Sequence, residues 1–116
     1  MQYMCLIYDA ESTWENLPED ERNAMFAEYG TFTESIKAGG NYVAGDALQP
    51  ISTATTVRIR DGKTLVTDGP FAETKEKLGG YYVVEADSID EATALAAKIP
   101  SARLGGSVEV RALIEM

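Results

Sequence analysis

Asp68 follows a strand-like run and stands directly before Gly69-Pro70. A carboxylate in that place has two uses. It can accept backbone N–H groups within the turn, the ordinary preference of aspartate before such a turn. It can also project into a cleft as a general acid or base. The second use needs burial or a like-charged neighbour, because a free carboxyl with a pKa of about 3.9 is a weak base at neutral pH. Arg58 and Arg111 form a second set, each on the polar parity of a strand-like run. If those parities enclose a pocket, the two guanidinium groups can clamp a carboxylate or phosphate. If they face water, they make cross-strand ion pairs worth less than ~1 kcal/mol. Phe71 is either a lid or an anchor for its loop, and an aromatic among polar residues is usually the anchor. Lys75 either meets an anionic substrate or belongs to a solvated mixed-charge turn. Tyr81 and Tyr82 alternate in parity, so one belongs to a core and the other to the opposite sheet face or an interface.

Composition removes several other chemistries. The chain has 116 residues, no histidine and one cysteine, Cys5. Histidine-dependent nucleophilic catalysis and histidine-ligated metal or haem are excluded, as are an intrachain disulfide and a four-cysteine zinc site. Cys5 lies in an apolar strand-like run and reads as an inert small hydrophobe. No glycine belongs to a nucleotide-binding loop pattern. The formal charge is −9, with seven acids against one base between Asp9 and Glu28, which argues against nucleic acid and anionic membrane as partners. No apolar run reaches the ~18 residues of a membrane span. With no secretory signal pattern at the N-terminus, the expected location is the reducing cytoplasm. The length suits one domain over residues 1–116.

The elements that must position these residues follow from periodicity. Tyr3 to Tyr8 is apolar at both parities and predicts a strand buried on both faces. Pro18 suits the first turn of a helix whose acids Glu19, Asp20 and Glu21 sit at the positive end of its dipole. Met25, Tyr29, Phe32 and Ile36 make the apolar stripe, and Gly39-Gly40 ends it. A short strand is expected at 41–45. Thr55 to Arg60 and Thr64 to Thr67 flank Asp61-Gly62, a two-residue hairpin signal. The segment 68–77 reads as a loop or a turn of helix. Gly79-Gly80 reads as a turn leading into a strand at 81–86. Ser88 and Glu91 make a capping box for a helix with the face Ala92, Leu95, Ala96 and Ile99, stopped by Pro100. Ser107 to Ile114 is the last strand. Two helices cover only one face of such a sheet, so a symmetric homodimer is expected to cover the other.

The runs Met1 to Tyr8, Ala47-Leu48-Gln49-Pro50, Thr55 to Arg58, Asp68 to Glu76 with Leu78 to Tyr82, and Gly106 to Arg111 resemble the DGPF-motif branch of the YCII-related proteins in order and over nearly the whole chain. The resemblance implies an α+β, ferredoxin-like subunit (βαβ, hairpin, βαβ) with an antiparallel sheet, two helices on one face, and assembly into a dimeric α+β barrel. It also implies a bacterial source, and an association with extracytoplasmic-function sigma factors. A His-Asp dyad has been proposed for the broader family. Asp68 corresponds to its aspartate, and the histidine has no counterpart here. No cofactor and no metal are implied.

Two functional expectations follow. The first is a small-molecule site near the loop Gly69-Pro70-Phe71, taking an anionic or carbonyl-bearing metabolite. There Asp68 is a general acid or base, and Arg58, Arg111, Lys75 and Tyr81 contact substrate in a cofactor-free enzyme. The second is a non-catalytic binding or regulatory module acting with a partner protein such as a sigma factor.

Overall fold

The computed structural model describes residues 1–116. In chain order the elements are β1 (Gln2–Asp9), α1 (Glu11–Glu15), α2 (Glu19–Ala38), β2 (Tyr42–Ala47), a 3-10 turn (Ile51–Thr53), β3 (Thr55–Arg60), β4 (Lys63–Asp68), β5 (Lys77–Glu85), α3 (Ile89–Ala96), α4 (Pro100–Arg103) and β6 (Ser107–Ala112). Strands β2, β5, β1 and β6 form one antiparallel sheet in that order, and β3 and β4 form a separate two-stranded sheet. The order is that of two interleaved βαβ units, the α+β ferredoxin-like arrangement.

The core lies between that sheet and the helices. Tyr3, Cys5 and Ile7 of β1 and Tyr82 and Val84 of β5 point to the helical side. They meet Phe32 and Ile36 of α2, Ala92 and Ala96 of α3, and Ile99. The Phe32 ring meets Tyr82 edge-on, with centroids 5.1 Å apart. The opposite parity of β1, Met4, Leu6 and Tyr8, is only half-buried. Burial on both faces was the expectation for β1, and within one subunit the helices supply only one cover.

Other local expectations are met or corrected. Asp61 and Gly62 take φ of 50° and 74°, as a two-residue hairpin of this kind requires. Gly40, with φ of 76°, carries the left-handed turn that ends α2. Ser88 accepts from the Glu91 amide at 3.2 Å, and the Glu91 carboxylate accepts from the Asp87 amide at 2.9 Å, one residue before the expected reciprocal donor. Pro18 precedes α2 rather than opening its first turn, and Asn16 ends α1 instead of capping α2. Pro100 starts a short helix, where its missing N–H costs nothing. Gly79 and Gly80 lie inside β5 rather than in a turn. Ile7 pairs with Gly80 and Tyr8 with Leu78, so Gly79 is the extra residue of a bulge. No helix is long and apolar enough to cross a membrane.

Candidate functional site

Strand alternation turns Asp9 to the same side as Tyr3, Cys5 and Ile7, at the edge of a cavity of about 530 Å³. Its helical wall is aromatic: Trp14 of α1 stands 5.6 Å from Phe26 and 6.3 Å from Tyr29, centroid to centroid. The facing wall comes from Asp46 to Pro50 and from Lys77 to Tyr82. Gly80 belongs there because a side chain would press on the Asp46 carbonyl oxygen 3.0 Å away. A volume of this size with apolar walls and few polar groups is typical of small-molecule sites.

Two devices hold the wall in place. The Glu11 carboxylate accepts from the Ile51 amide at 2.7 Å, tying α1 to the 3-10 turn. Arg22 donates through Nη2 to the carbonyls of Trp14, Glu15 and Leu17 at 3.3, 3.5 and 3.3 Å. The first two carbonyls end a short helix that has no basic residue of its own in the last turn, and the third follows it. The remaining guanidinium N–H groups of Arg22 stay available to an oxygen in the cavity.

At the cavity floor the polar groups form a directed chain. Asp9 Oδ2 accepts from Ser101 Oγ at 2.8 Å and from Trp14 Nε1 at 3.3 Å. Ser101 is fully buried and has only one hydroxyl proton, which goes to Asp9. The 2.5 Å contact between Ser101 Oγ and the Tyr29 hydroxyl therefore has Tyr29 as donor. Burial pushes the Tyr29 phenol above its usual range. Beside it, Tyr82 shares a 2.7 Å hydrogen bond with Thr33 Oγ1, and burial raises its pKa too. Chemically, the chain Tyr29–Ser101–Asp9 can take a proton at its cavity end and deposit one on a carboxylate.

The residues singled out from sequence are dispersed within the subunit. Tyr81 lines the cavity and donates to Asp46 at 3.0 Å, a bond that raises its pKa. Asp68 ends β4, exposed and outside the cavity lining. Arg58 pairs across the hairpin with Leu65 and is exposed. Arg111 lies on β6, 3.9 Å from Glu109, with its side chain 73% exposed. Phe71 is 76% exposed, and Gly69, Pro70 and Lys75 share its loop. Gly69 donates its amide to Ala54 at 2.7 Å and accepts from Thr56 Oγ1 at 2.7 Å, so this part of the motif closes the base of the hairpin.

Asp9, Trp14, Tyr29 and Ser101 were not among the sequence candidates. By spacing Tyr29 is one more member of an apolar stripe, and Ser101 is 92 positions from its carboxylate partner. The one available signal was a carboxylate at the end of an apolar strand followed by the chain's single tryptophan.

Comparison with known proteins adds to this geometry. A protein of Rhizobium meliloti (strain 1021), described as uncharacterized protein R00369, is 35% identical over 114 residues, covering 97% of this chain and 92% of its own. A solved structure of 5-chloro-2-hydroxyhydroquinone dehydrochlorinase (TftG) from Burkholderia phenoliruptrix AC1100, in complex with 2,5-dihydroxybenzoquinone, is similar with a TM-score of 0.57. The match covers 100% of this chain and 96% of that one at 18% identity, a likeness of fold. The description of the YCII-related domain matches residues 1–116 in full, and the chain belongs to that family.

Proposed function

We propose that the protein binds a small, flat, carbonyl-bearing or anionic metabolite in the cavity beside Asp9, and that the chain Tyr29–Ser101–Asp9 accepts a proton from it. The observation that carries this reading is the one-way hydrogen bonding from Tyr29 through Ser101 to Asp9, ending in a largely apolar cavity. As the ligand gives a proton to the Tyr29 oxygen, the Tyr29 proton passes to Ser101 and the Ser101 proton to Asp9. Three O–H bonds form, while the ligand's bond to hydrogen and two O–H bonds break. Trp14 and Phe26 supply a flat apolar wall, and Arg22 supplies donors for the ligand oxygen that gains charge. The quinone held by the structurally similar dehydrochlorinase is a flat dicarbonyl and agrees with this ligand class.

The reading includes a homodimer in which a second copy covers the half-buried sheet face of Met4, Leu6 and Tyr8. It places the chain in a reducing cytoplasm, consistent with one free, buried cysteine.

Trp14 is the only tryptophan and lines the cavity, so its emission reports occupancy. A panel of small quinones, enols and α-keto acids, led by 2,5-dihydroxybenzoquinone, should contain compounds that quench it saturably. Tyr29→Phe and Asp9→Asn should abolish exchange of the bound ligand's acidic proton while leaving quenching in place. Absence of quenching by every compound overturns the ligand class. Unchanged proton exchange in both variants overturns the role of the chain.

A further inference from the structure

The β3–β4 hairpin is an arm without a core. Its strands pair only with each other, as a two-stranded sheet apart from the four-stranded one. Register places Val57 opposite Val66 and Ile59 opposite Thr64, so Val57, Ile59 and Val66 share one face. They are 60%, 65% and 64% exposed. The other face carries Arg58, Arg60 and Lys63 beside Leu65. An isolated two-stranded hairpin is marginal in water, and this one buries none of its apolar side chains. The molecule is correspondingly spread out, with a radius of gyration of 16.0 Å, against about 13 Å for a compact domain of this length.

The same chain offers a surface that fits the arm. The sheet face away from the helices presents the half-buried Met4, Leu6, Tyr8 and Tyr81 around a buried Val83, rimmed by the carboxylates of Asp46, Glu85 and Glu109. Strands of six residues reach about 20 Å, and four strands side by side span roughly 14 Å between outer axes, so the arm is long enough to cross this face. Charge agrees. The arm, residues 55–68, has three cations against two carboxylates, while the rest of the chain has seven against seventeen. Two such acidic bodies repel unless something cationic lies between them.

We propose that the β3–β4 arm docks onto a second copy of this chain, seating Val57, Ile59 and Val66 on the partner's open sheet face with its arginines and lysine beside the acidic rim. This deepens the homodimer reading and rests on it, by naming the element that crosses between copies. The arm also has a consequence for the cavity. The segment 51–76 that carries the arm leaves the cavity wall after Pro50 and rejoins it at Lys77, and both residues line the cavity. The base of the arm is clamped by Gly69 to Ala54 and Thr56, and its root by Glu11 to Ile51. Seating the arm therefore fixes two lengths of cavity wall in each subunit.

Light scattering on the full chain tests this. The wild type should give about 25 kDa, twice the 12.6 kDa chain. Val57→Asp combined with Ile59→Asp should give the single-chain mass with an unchanged far-ultraviolet spectrum. Trp14 emission should shift to the red without any ligand present. Arg58→Glu combined with Arg60→Glu, on the opposite face, should weaken dimerisation about tenfold or more at low salt and less at high salt. A wild type that scatters as a single chain at micromolar concentration overturns both the dimer and the arm. A dimer whose dissociation constant is unmoved by either double variant overturns the arm alone. A monomeric wild type that sediments with phosphatidylglycerol vesicles would assign the arm to a membrane and overturn docking onto a second copy.

Discussion

Gly106 lies against the carboxylate of Asp9. A Cβ at position 106 would run into Asp9 Oδ1 and the Tyr8 carbonyl oxygen. The neighbouring Gly105 differs, with open space around its Cβ position and φ of 94°. Gly106→Ala is therefore expected to displace Asp9, costing about 1–3 kcal/mol by overpacking and weakening any ligand that meets the carboxylate. Gly105→Ala should cost about 1 kcal/mol through backbone strain, with ligand binding intact. Thermal melts paired with Trp14 quenching separate the two.

Ser101→Ala removes a fully buried hydroxyl, leaving the Tyr29 hydroxyl without its acceptor and Asp9 Oδ2 with Trp14 Nε1 as its one remaining donor. The expected loss is about 1–3 kcal/mol, or several degrees in melting temperature. Proton exchange of a bound ligand should fall as far as in Tyr29→Phe, because the chain is broken in its middle. A variant that melts early but exchanges at the wild-type rate would make Ser101 purely structural.

Burial holds the Cys5 thiol up, to a pKa of about 11 from an ordinary 9.0. In the unfolded chain it ionises from about pH 9, so between pH 9 and 11 the unfolded state binds fewer protons than the native one. The Cys5 contribution should be level below pH 9 and fall as pH rises toward 11, with Tyr29 and Tyr82 adding to the fall above pH 10 and the N-terminal amine, raised by its bond to Glu85, starting its own fall from about pH 8. Cys5→Ala should flatten the first part of that slope in denaturant titrations. At pH 8 the native thiol should resist a disulfide reagent that modifies the unfolded chain at once.

Asp68→Asn alters an exposed carboxylate outside the cavity and should change stability by less than about 0.5 kcal/mol. Trp14 quenching by the compounds that bind wild type should persist. Loss of quenching in Asp68→Asn with retention in Asp9→Asn would move the site to the Gly69-Pro70-Phe71 loop.

Ser88→Ala removes the bond to the Glu91 amide at the start of α3 and should cost about 1 kcal/mol. Glu91→Gln should cost less, since an amide oxygen can still accept from Asp87. Denaturant midpoints of the two variants check the order.

Much of the fold was legible because its signals are local. Asp61-Gly62 announces a hairpin through the φ values both residues need, and Met25, Phe32 and Ile36 announce a buried helix face through their spacing. Gly79-Gly80 forms a bulge where a turn is expected, because a glycine pair signals both alike and only the pairing with β1 decides between them. The site was hidden for a related reason. Tyr29 and Ser101 are ordinary helix and loop residues until the sheet and helices bring them beside Asp9, and no short-range pattern marks a contact spanning most of the chain. Conversely, the conspicuous Asp68-Gly69-Pro70-Phe71 stretch forms the foot of the arm, where sequence alone could not distinguish a turn from a cleft.

The glycine pair in β5 also bears on how ligand preference can diverge. Where Gly79 and Gly80 meet the cavity, the wall is peptide backbone, and no substitution there can introduce new chemistry without adding bulk. Drift in specificity among descendants of this chain can be written on Trp14, Phe26, Leu48 to Pro50 and even Gly79, where a Cβ meets only the Ile7 carbonyl oxygen at 4.0 Å, while Gly80, pressed by the Asp46 carbonyl oxygen, stays an inherited constant.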